Sequence, residues 1–284
     1  MHISEFQPLQ VRPLCFCVTL IISVTLTILS TLTYIVVKIS LCPLLTLHSH
    51  HTYNHFCRCK EVAVNRHCRV VPAILTESTE ALAKMVRQAE TFADFVQVDV
   101  MDGRFVPSSS VTCSDLAKVN PKLRWEAHLM VRQPEEQLHC FAMAGAQRIV
   151  FHFEATSSPL RIINLIRHLG VKVGLAVNPE TPLTATLSLA DSVDSILFLT
   201  VHPGFYGAKF LPEVLDKVVE LRSRKPNLEI GVDGGIKESN ITEVARLGVD
   251  YICVGSAIFV QPDPGASFRR LQSLADKACP SRNR

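Results

Sequence analysis

The residues best equipped to move a proton stand in three short apolar runs. Phe95-Val96-Gln97-Val98-Asp99-Val100-Met101-Asp102-Gly103 reads as a strand. Side chains two apart on a strand share a face. Either Gln97, Asp99 and Met101 point one way, or Val96, Val98 and Val100 do. Packed helices would cover the valines, so the polar set faces a site. In Trp125-Glu126-Ala127-His128-Leu129-Met130 the same alternation groups Glu126, His128 and Met130. In Ile230-Gly231-Val232-Asp233-Gly234-Gly235, Asp233 ends the run. One strand-end Asp is usually a loop or helix cap, and one strand His is usually a hydrogen-bonded core residue. Two aspartates and a histidine converging from three strands point further. One carboxylate can take a proton from one face of a carbon while the other returns one to the opposite face. Asp99 and Asp233 are the candidate pair.

A second set of residues suits an anion. Pro203-Gly204-Phe205-Tyr206-Gly207, Gly234-Gly235 and Gly255-Ser256 each follow an apolar run. Glycine lets backbone N–H groups approach a phosphate, and a following helix start adds a favourable dipole. Gly204, Phe205, Gly207, Gly234, Gly235, Gly255 and Ser256 are therefore candidate phosphate contacts. Glycines also serve plain tight turns, and one cluster alone would carry no more than that.

Something must bring these groups to one place. Eight apolar runs, 70–75, 95–100, 125–131, 148–153, 171–177, 195–201, 228–232 and 251–254, alternate with eight amphipathic segments. The segments lie near 78–91, 113–119, 134–144, 159–169, 183–190, 212–225, 239–247 and 264–277. This alternation predicts an α/β fold of the (β/α)₈ TIM-barrel type over residues 70–284. A doubly wound open sheet is the alternative, but no G-x-G-x-x-G opens the first helix. Ser78 precedes the first helix, and Pro134, Pro159 and Pro212 sit where a first-turn proline is tolerated. Gly145, Gly170 and Gly248 are placed to close helices. In such a barrel the site lies at the C-terminal strand ends, with phosphate commonly held after strands seven and eight.

The 284 residues are 48% hydrophobic and 19% charged, which fits a globular chain with a substantial core. A net charge of +3 is too small to indicate nucleic acid. Residues 1–69 form a separate extension with about six Lys/Arg against two acids, leaving the barrel region near neutral. The run from Pro13 to Val37 lacks charge and is long enough to span a bilayer. It reads as a membrane anchor at about 13–37, as a targeting peptide, or as translated sequence upstream of the true start. On the last reading a non-AUG start near Val62, Val64 or Val70 is needed, because Met85 falls inside the first helix. Cys57-Arg58-Cys59 has the wrong spacing for a zinc knuckle. Cys113, Cys140, Cys253 and Cys279 are scattered through the barrel, which predicts reduced thiols and a cytoplasmic enzyme.

The chain resembles the ribulose-phosphate 3-epimerase family. The matching stretches are Val98-Asp99-Val100-Met101-Asp102-Gly103 with Phe105-Val106-Pro107, His128-Leu129-Met130-Val131, Gly174-Leu175-Ala176-Val177-Asn178-Pro179, Pro203-Gly204-Phe205 with Lys209-Phe210, Val232-Asp233-Gly234-Gly235 and Gly255-Ser256-Ala257-Ile258. They run in family order from about 70 to 275, and nothing before 70 resembles the family. The resemblance implies a ribulose-phosphate-binding barrel that interconverts ribulose 5-phosphate and xylulose 5-phosphate, or a close hexulose phosphate, through an enediolate. It implies a divalent ion (zinc, iron or manganese) held by two His and two Asp. By position, Asp99 and Asp233 are the acid/base pair and also ligands, and His128 is a ligand. Met101 and Met130 match methionines near the enediolate. The expected partners are a sugar phosphate and other copies of the chain.

The departures from the family pattern fall in the site. Gln97 stands where the first metal histidine belongs, and an amide oxygen is a weaker donor than imidazole. The expected metal site is therefore weakened or absent. Ala73 replaces a substrate-contacting serine, Leu199 replaces a third methionine, and Tyr206 and Ala208 replace Gly and Gln. Two further readings follow. A non-catalytic phosphosugar-binding paralogue is favoured by Gln97 and Ala73. A related aldolase- or decarboxylase-like barrel is disfavoured, because no inward lysine stands beside Asp99 and Lys172 begins its strand at the wrong end.

Overall fold

A computed structural model of the chain describes residues 68–204 and 207–280. Eight parallel strands close into a barrel in sequence order. They are β1 (Arg69–Ile74), β2 (Phe95–Met101), β3 (Arg124–Met130), β4 (Arg148–His152), β5 (Lys172–Val177), β6 (Ser195–Leu199), β7 (Glu229–Asp233) and β8 (Tyr251–Val254). Pairing of β1 with β8 closes the ring. The helices are α1 (Thr79–Ala89), α2 (Cys113–Val119), α3 (Leu138–Met143), α4 (Pro159–His168), α5 (Leu183–Thr186), α6 (Leu215–Arg224), α7 (Ile241–Arg246), α8 (Ser256–Phe259) and α9 (Pro264–Ala278).

Alternation along the strands sorts the side chains into two cores. Val96, Val98, Val100, Ala127 and Leu129 face outward into the helix layer. Val71, Ala73, Val150, Ala176, Leu197, Leu199, Tyr251 and Cys253 form a separate inner cluster. Removing this much apolar surface from water is the main stabilising contribution. Ser78 caps α1 by accepting from the Ala81 amide at 3.3 Å. Gly145, Gly170 and Gly248 follow α3, α4 and α7 with positive φ, as expected of C-terminal caps.

Three predicted helices are broken. The segment 134–144 is a 3₁₀ turn, Pro134–Glu136, followed by α3. A second 3₁₀ turn, Leu187–Leu189, extends α5, and a third, Pro212–Val214, precedes α6. Tight 3₁₀ turns commonly complete helix ends. The short α8 went unanticipated, since four residues cannot display a helical period.

The expectation of reduced thiols is corrected at two of the four barrel cysteines. Cys113 and Cys140 form a disulfide. They are 27 residues apart in sequence, but α2 and α3 are neighbours on the barrel wall, so sequence spacing hid their proximity. The expectations for residues 1–67 lie outside the described residues. Among the described residues no helix is long and apolar enough to cross a membrane.

The N-terminal floor of the barrel is built from charge. Glu126 shares its face with His128 but sits two residues deeper, where it pairs with Arg148. Arg148 also reaches Glu229 at 3.0 Å and lies 4.6 Å from the centre of the Tyr251 ring. Tyr251 lies flat against β7, where only glycine leaves room. A Cβ on Gly231 would come within 2.2 Å of the Tyr251 ring. Gly231→Ala is therefore expected to destabilise the barrel by about 1–3 kcal/mol through overpacking. A lower denaturant midpoint at unchanged slope would show it, and an unchanged midpoint would refute it.

Candidate active site

Strand register brings the three predicted groups together. Asp99 on β2 pairs directly with His128 on β3, and Asp233 ends β7 beside Leu199 and Cys253. Their donor atoms lie within 4.8 Å of one another. His128 Nδ1 is 2.9 Å from Asp99 Oδ1 and 3.4 Å from Asp233 Oδ2. The strand ends that carry them are tied down locally. Ser110 Oγ donates to the Asp99 carbonyl at 2.8 Å and accepts from the Met101 amide at 2.9 Å. Thr200 Oγ1 donates to the carbonyls of Asp233 and Gly234 at 3.0 and 2.6 Å.

Gln97 lies directly beneath, fully buried. Its Nε2 donates to Asp99 Oδ1 at 2.9 Å and to Asp233 Oδ2 at 2.7 Å. Its oxygen is turned away, accepting from the Cys253 thiol at 3.1 Å. The end of the amide that meets the carboxylates is thus a donor and not a ligand atom.

Burial pushes the Asp99 carboxyl above its ordinary range. Burial opposes a charged His128, but hydrogen bonds to Asp233 and Asp99, and their negative charge, lift the ring to about 10. The cluster therefore retains a proton at neutral pH. Burial likewise keeps Cys253 a neutral thiol, which suits it to donate to Gln97.

One cleft at the C-terminal strand ends gathers most of the predicted site. Asp99, His128 and Asp233 line it with Ala73, Met101 and Met130, and so do Gly204, Gly207, Gly234, Gly235, Gly255 and Ser256. Leu199 and Ala208 line it as well. Gln97 lies below the cleft surface, and Phe205 and Tyr206 lie outside the described residues. Gly234 and Gly235 have φ of 108° and 68°, a region that L side chains rarely adopt. A Cβ on Gly234 would also strike Val201 at 2.4 Å. Backbone here lines the cleft in a conformation that favours glycine. Met101, Val106 and Met130 form a small apolar cluster, with Leu75 and Phe105 packed against it.

Asp102, adjacent to the pair, has a structural role. Its carboxylate accepts from the amides of Arg104 and Phe105 at 2.9 Å each and of Arg132 at 2.8 Å. Burial opposes its charge, but these three N–H groups win and lower its pKa. Sequence reading passed over His152 and Glu154. His152 Nε2 is 3.0 Å from His128 Nε2. The parity argument that picked out His128 applies here too, since His152 ends β4 on the face of Arg148 and Val150.

The family's divalent ion can be tested against this donor set. Two carboxylate oxygens and an imidazole nitrogen meet the need of an open three-ligand site. Asp99, His128 and Asp233 fit it. Gln97 does not add a fourth donor in the orientation it holds.

A closed barrel with two aspartates, a histidine and glycine turns gathered at its C-terminal mouth has the layout of a barrel enzyme. Residues 69–259 match the model of the ribulose-phosphate 3 epimerase family. The chain belongs to that family. It is 40% identical over 188 residues to the ribulose-phosphate 3-epimerase of Aquifex aeolicus, covering 64% of this chain and 85% of that one. It is 36% identical over 216 residues to that of Mycobacterium tuberculosis, covering 74% and 93%. Among solved structures it resembles 3-hexulose-6-phosphate synthase from Salmonella typhimurium, with a TM-score of 0.59 at 16% identity. That alignment covers 74% of this chain and 99% of the other. KGPDC from Streptococcus mutans gives a TM-score of 0.60 at 12% identity, covering 75% and 99%. These two likenesses establish the fold alone.

Proposed function

We propose that the barrel epimerises a ketose phosphate at C3, interconverting ribulose 5-phosphate and xylulose 5-phosphate or a close hexulose phosphate. The observation that carries this reading is the placement of Asp99 and Asp233 on strands β2 and β7, with both carboxylates opening into one cleft. The ionised aspartate removes the C3 proton, and the electron pair moves into an enediolate. The other aspartate, protonated, delivers its proton to the opposite face of C3. The Gly234–Gly235 turn with Gly255 and Ser256 offers backbone N–H groups to the phosphate, so the reacting carbon is held at a fixed distance from both carboxylates. Met101 and Met130 exclude water from the enediolate face. Asp99, His128 and Asp233 would hold a divalent ion, which supplies Lewis-acid stabilisation of charge developing on the substrate oxygens.

The Gln97 amide, bonded to both carboxylates, favours a second reading as a phosphosugar-binding protein without turnover. Incubation with ribulose 5-phosphate in D₂O, with zinc, iron or manganese supplied in turn, separates the two. Epimerisation gives xylulose 5-phosphate with deuterium at C3. Binding of the sugar phosphate with neither product nor exchange would leave the second reading standing.

A further inference from the structure

The reading above gives His128 a place among the residues that would hold the ion but uses neither of the two groups behind it. His128 and His152 are both fully buried, with ring centres 5.1 Å apart. Their Nε2 atoms face each other at 3.0 Å. Beyond them, His152 Nδ1 lies 3.5 Å from Glu154 Oε2. The other Glu154 oxygen, Oε1, accepts from the Asn178 amide at 3.0 Å and from Thr181 Oγ1. Phe105 covers the His152 ring, centre to centre 4.9 Å. The row Asp99–His128–His152 is joined at hydrogen-bond distance, and the ion-pair contact of 3.5 Å carries it on to Glu154.

Hydrogen counting fixes its direction. Two ring nitrogens 3.0 Å apart hold one hydrogen between them. An ionised carboxylate only accepts, and Glu154 already accepts twice on its other oxygen. A carboxylate 3.5 Å away favours the proton on the His152 nitrogen that faces it. Neutral His152 then has a bare Nε2, which accepts, so His128 donates from its own Nε2. That leaves His128 Nδ1 as the nitrogen turned to Asp99 and Asp233. In the opposite arrangement His152 would donate from Nε2, neutral His128 would carry its hydrogen on Nδ1, and the ligand nitrogen would be blocked.

We propose that His152 is a positioning residue that fixes His128 with Nδ1 as its metal-binding nitrogen, and that Glu154 holds His152 in the accepting tautomer. The consequence for metal rests on the metal-assisted reading given above; the hydrogen-bond direction does not. Partners of this kind orient a ligating imidazole and raise its basicity, and losing one commonly weakens metal binding about 10–100-fold.

The test uses the full chain. Calorimetric titration with Zn²⁺ should show His152→Phe, which cannot accept, weakened by about 10–100-fold. His152→Gln, whose amide oxygen can accept, should recover most of the loss. Glu154→Leu should fall between them. Long-range ¹⁵N–¹H spectra of histidine-labelled protein should place hydrogens on His152 Nδ1 and His128 Nε2, with and without zinc. A merely structural role would not move these signals or be rescued by Gln. Unchanged zinc affinity in His152→Phe, zinc bound through His128 Nε2, or His152 protonated on Nε2 would each overturn the proposal. If the wild type binds no zinc while the spectra show the expected tautomers, the hydrogen-bond assignment stands and the metal-assisted reading falls.

Discussion

Asp99→Asn and Asp233→Asn are each expected to lower epimerisation by about 10²–10⁴-fold, the ordinary worth of general acid–base catalysis. An amide is close to the carboxylate in shape but cannot take the C3 proton. The barrel should survive both changes. Asn at either position can still present its oxygen to Gln97 Nε2, which now donates to both residues. The bonds that tie down the strand ends run through the backbone carbonyls of residues 99 and 233, not through their side chains. Thermal midpoints within a few degrees of wild type are the control on folding. The two variants should also fail differently. With one carboxylate intact, the substrate epimer whose C3–H faces it can still exchange with D₂O, while the other epimer cannot. Opposite exchange preferences in the two variants would establish that the aspartates serve opposite faces. Near-wild-type turnover in either variant would end the two-carboxylate mechanism.

The placement of Asp99 and Asp233 in one cleft was legible in the sequence because strand alternation is a local property. Val96, Val98 and Val100 are a signal of burial under helices, and they force Gln97, Asp99 and Met101 inward. Cys113–Cys140 was not legible, since two helices must be docked before that distance exists. The same limit hid His152, whose meaning comes from a contact across β3 and β4 to His128. It also hid the role of Glu126. Parity placed it correctly on the inward face, but depth in the barrel assigned it to Arg148 at the floor and not to the cleft. For the glycine turns, sequence supplied the residues, while the positive φ of Gly234 and Gly235 supplied the reason glycine is favoured there.

Gln97 is where sequence and structure together say the most. Its type alone predicts a weak ligand, an uncharged amide oxygen in place of imidazole. Its contacts go further. The amide nitrogen spans Asp99 and Asp233, and the oxygen is held by Cys253. An ion entering among Asp99, His128 and Asp233 must compete with two hydrogen bonds to those carboxylates. To gain a fourth donor the amide must also turn over and give up its acceptor role toward Cys253. Gln97→His removes this competition and offers a lone pair in the same layer of the barrel. We expect Gln97→His to bind Zn²⁺ about 10–100-fold more tightly than wild type, comparable to the value of one supporting contact at a metal site. Wild-type activity should be lost on mild chelation under conditions that Gln97→His withstands. Cys253→Val supplies the internal check. It frees the amide oxygen without touching a carboxylate, and it should shift affinity in the same direction by a smaller factor. Calorimetric titration of the metal-free full-length proteins measures all three. Equal affinities for wild type and Gln97→His would show that the amide does not compete. A site that takes no metal in either protein would transfer the chemistry to Asp99, His128 and Asp233 alone, with the proton held in their own hydrogen bonds as the source of charge stabilisation.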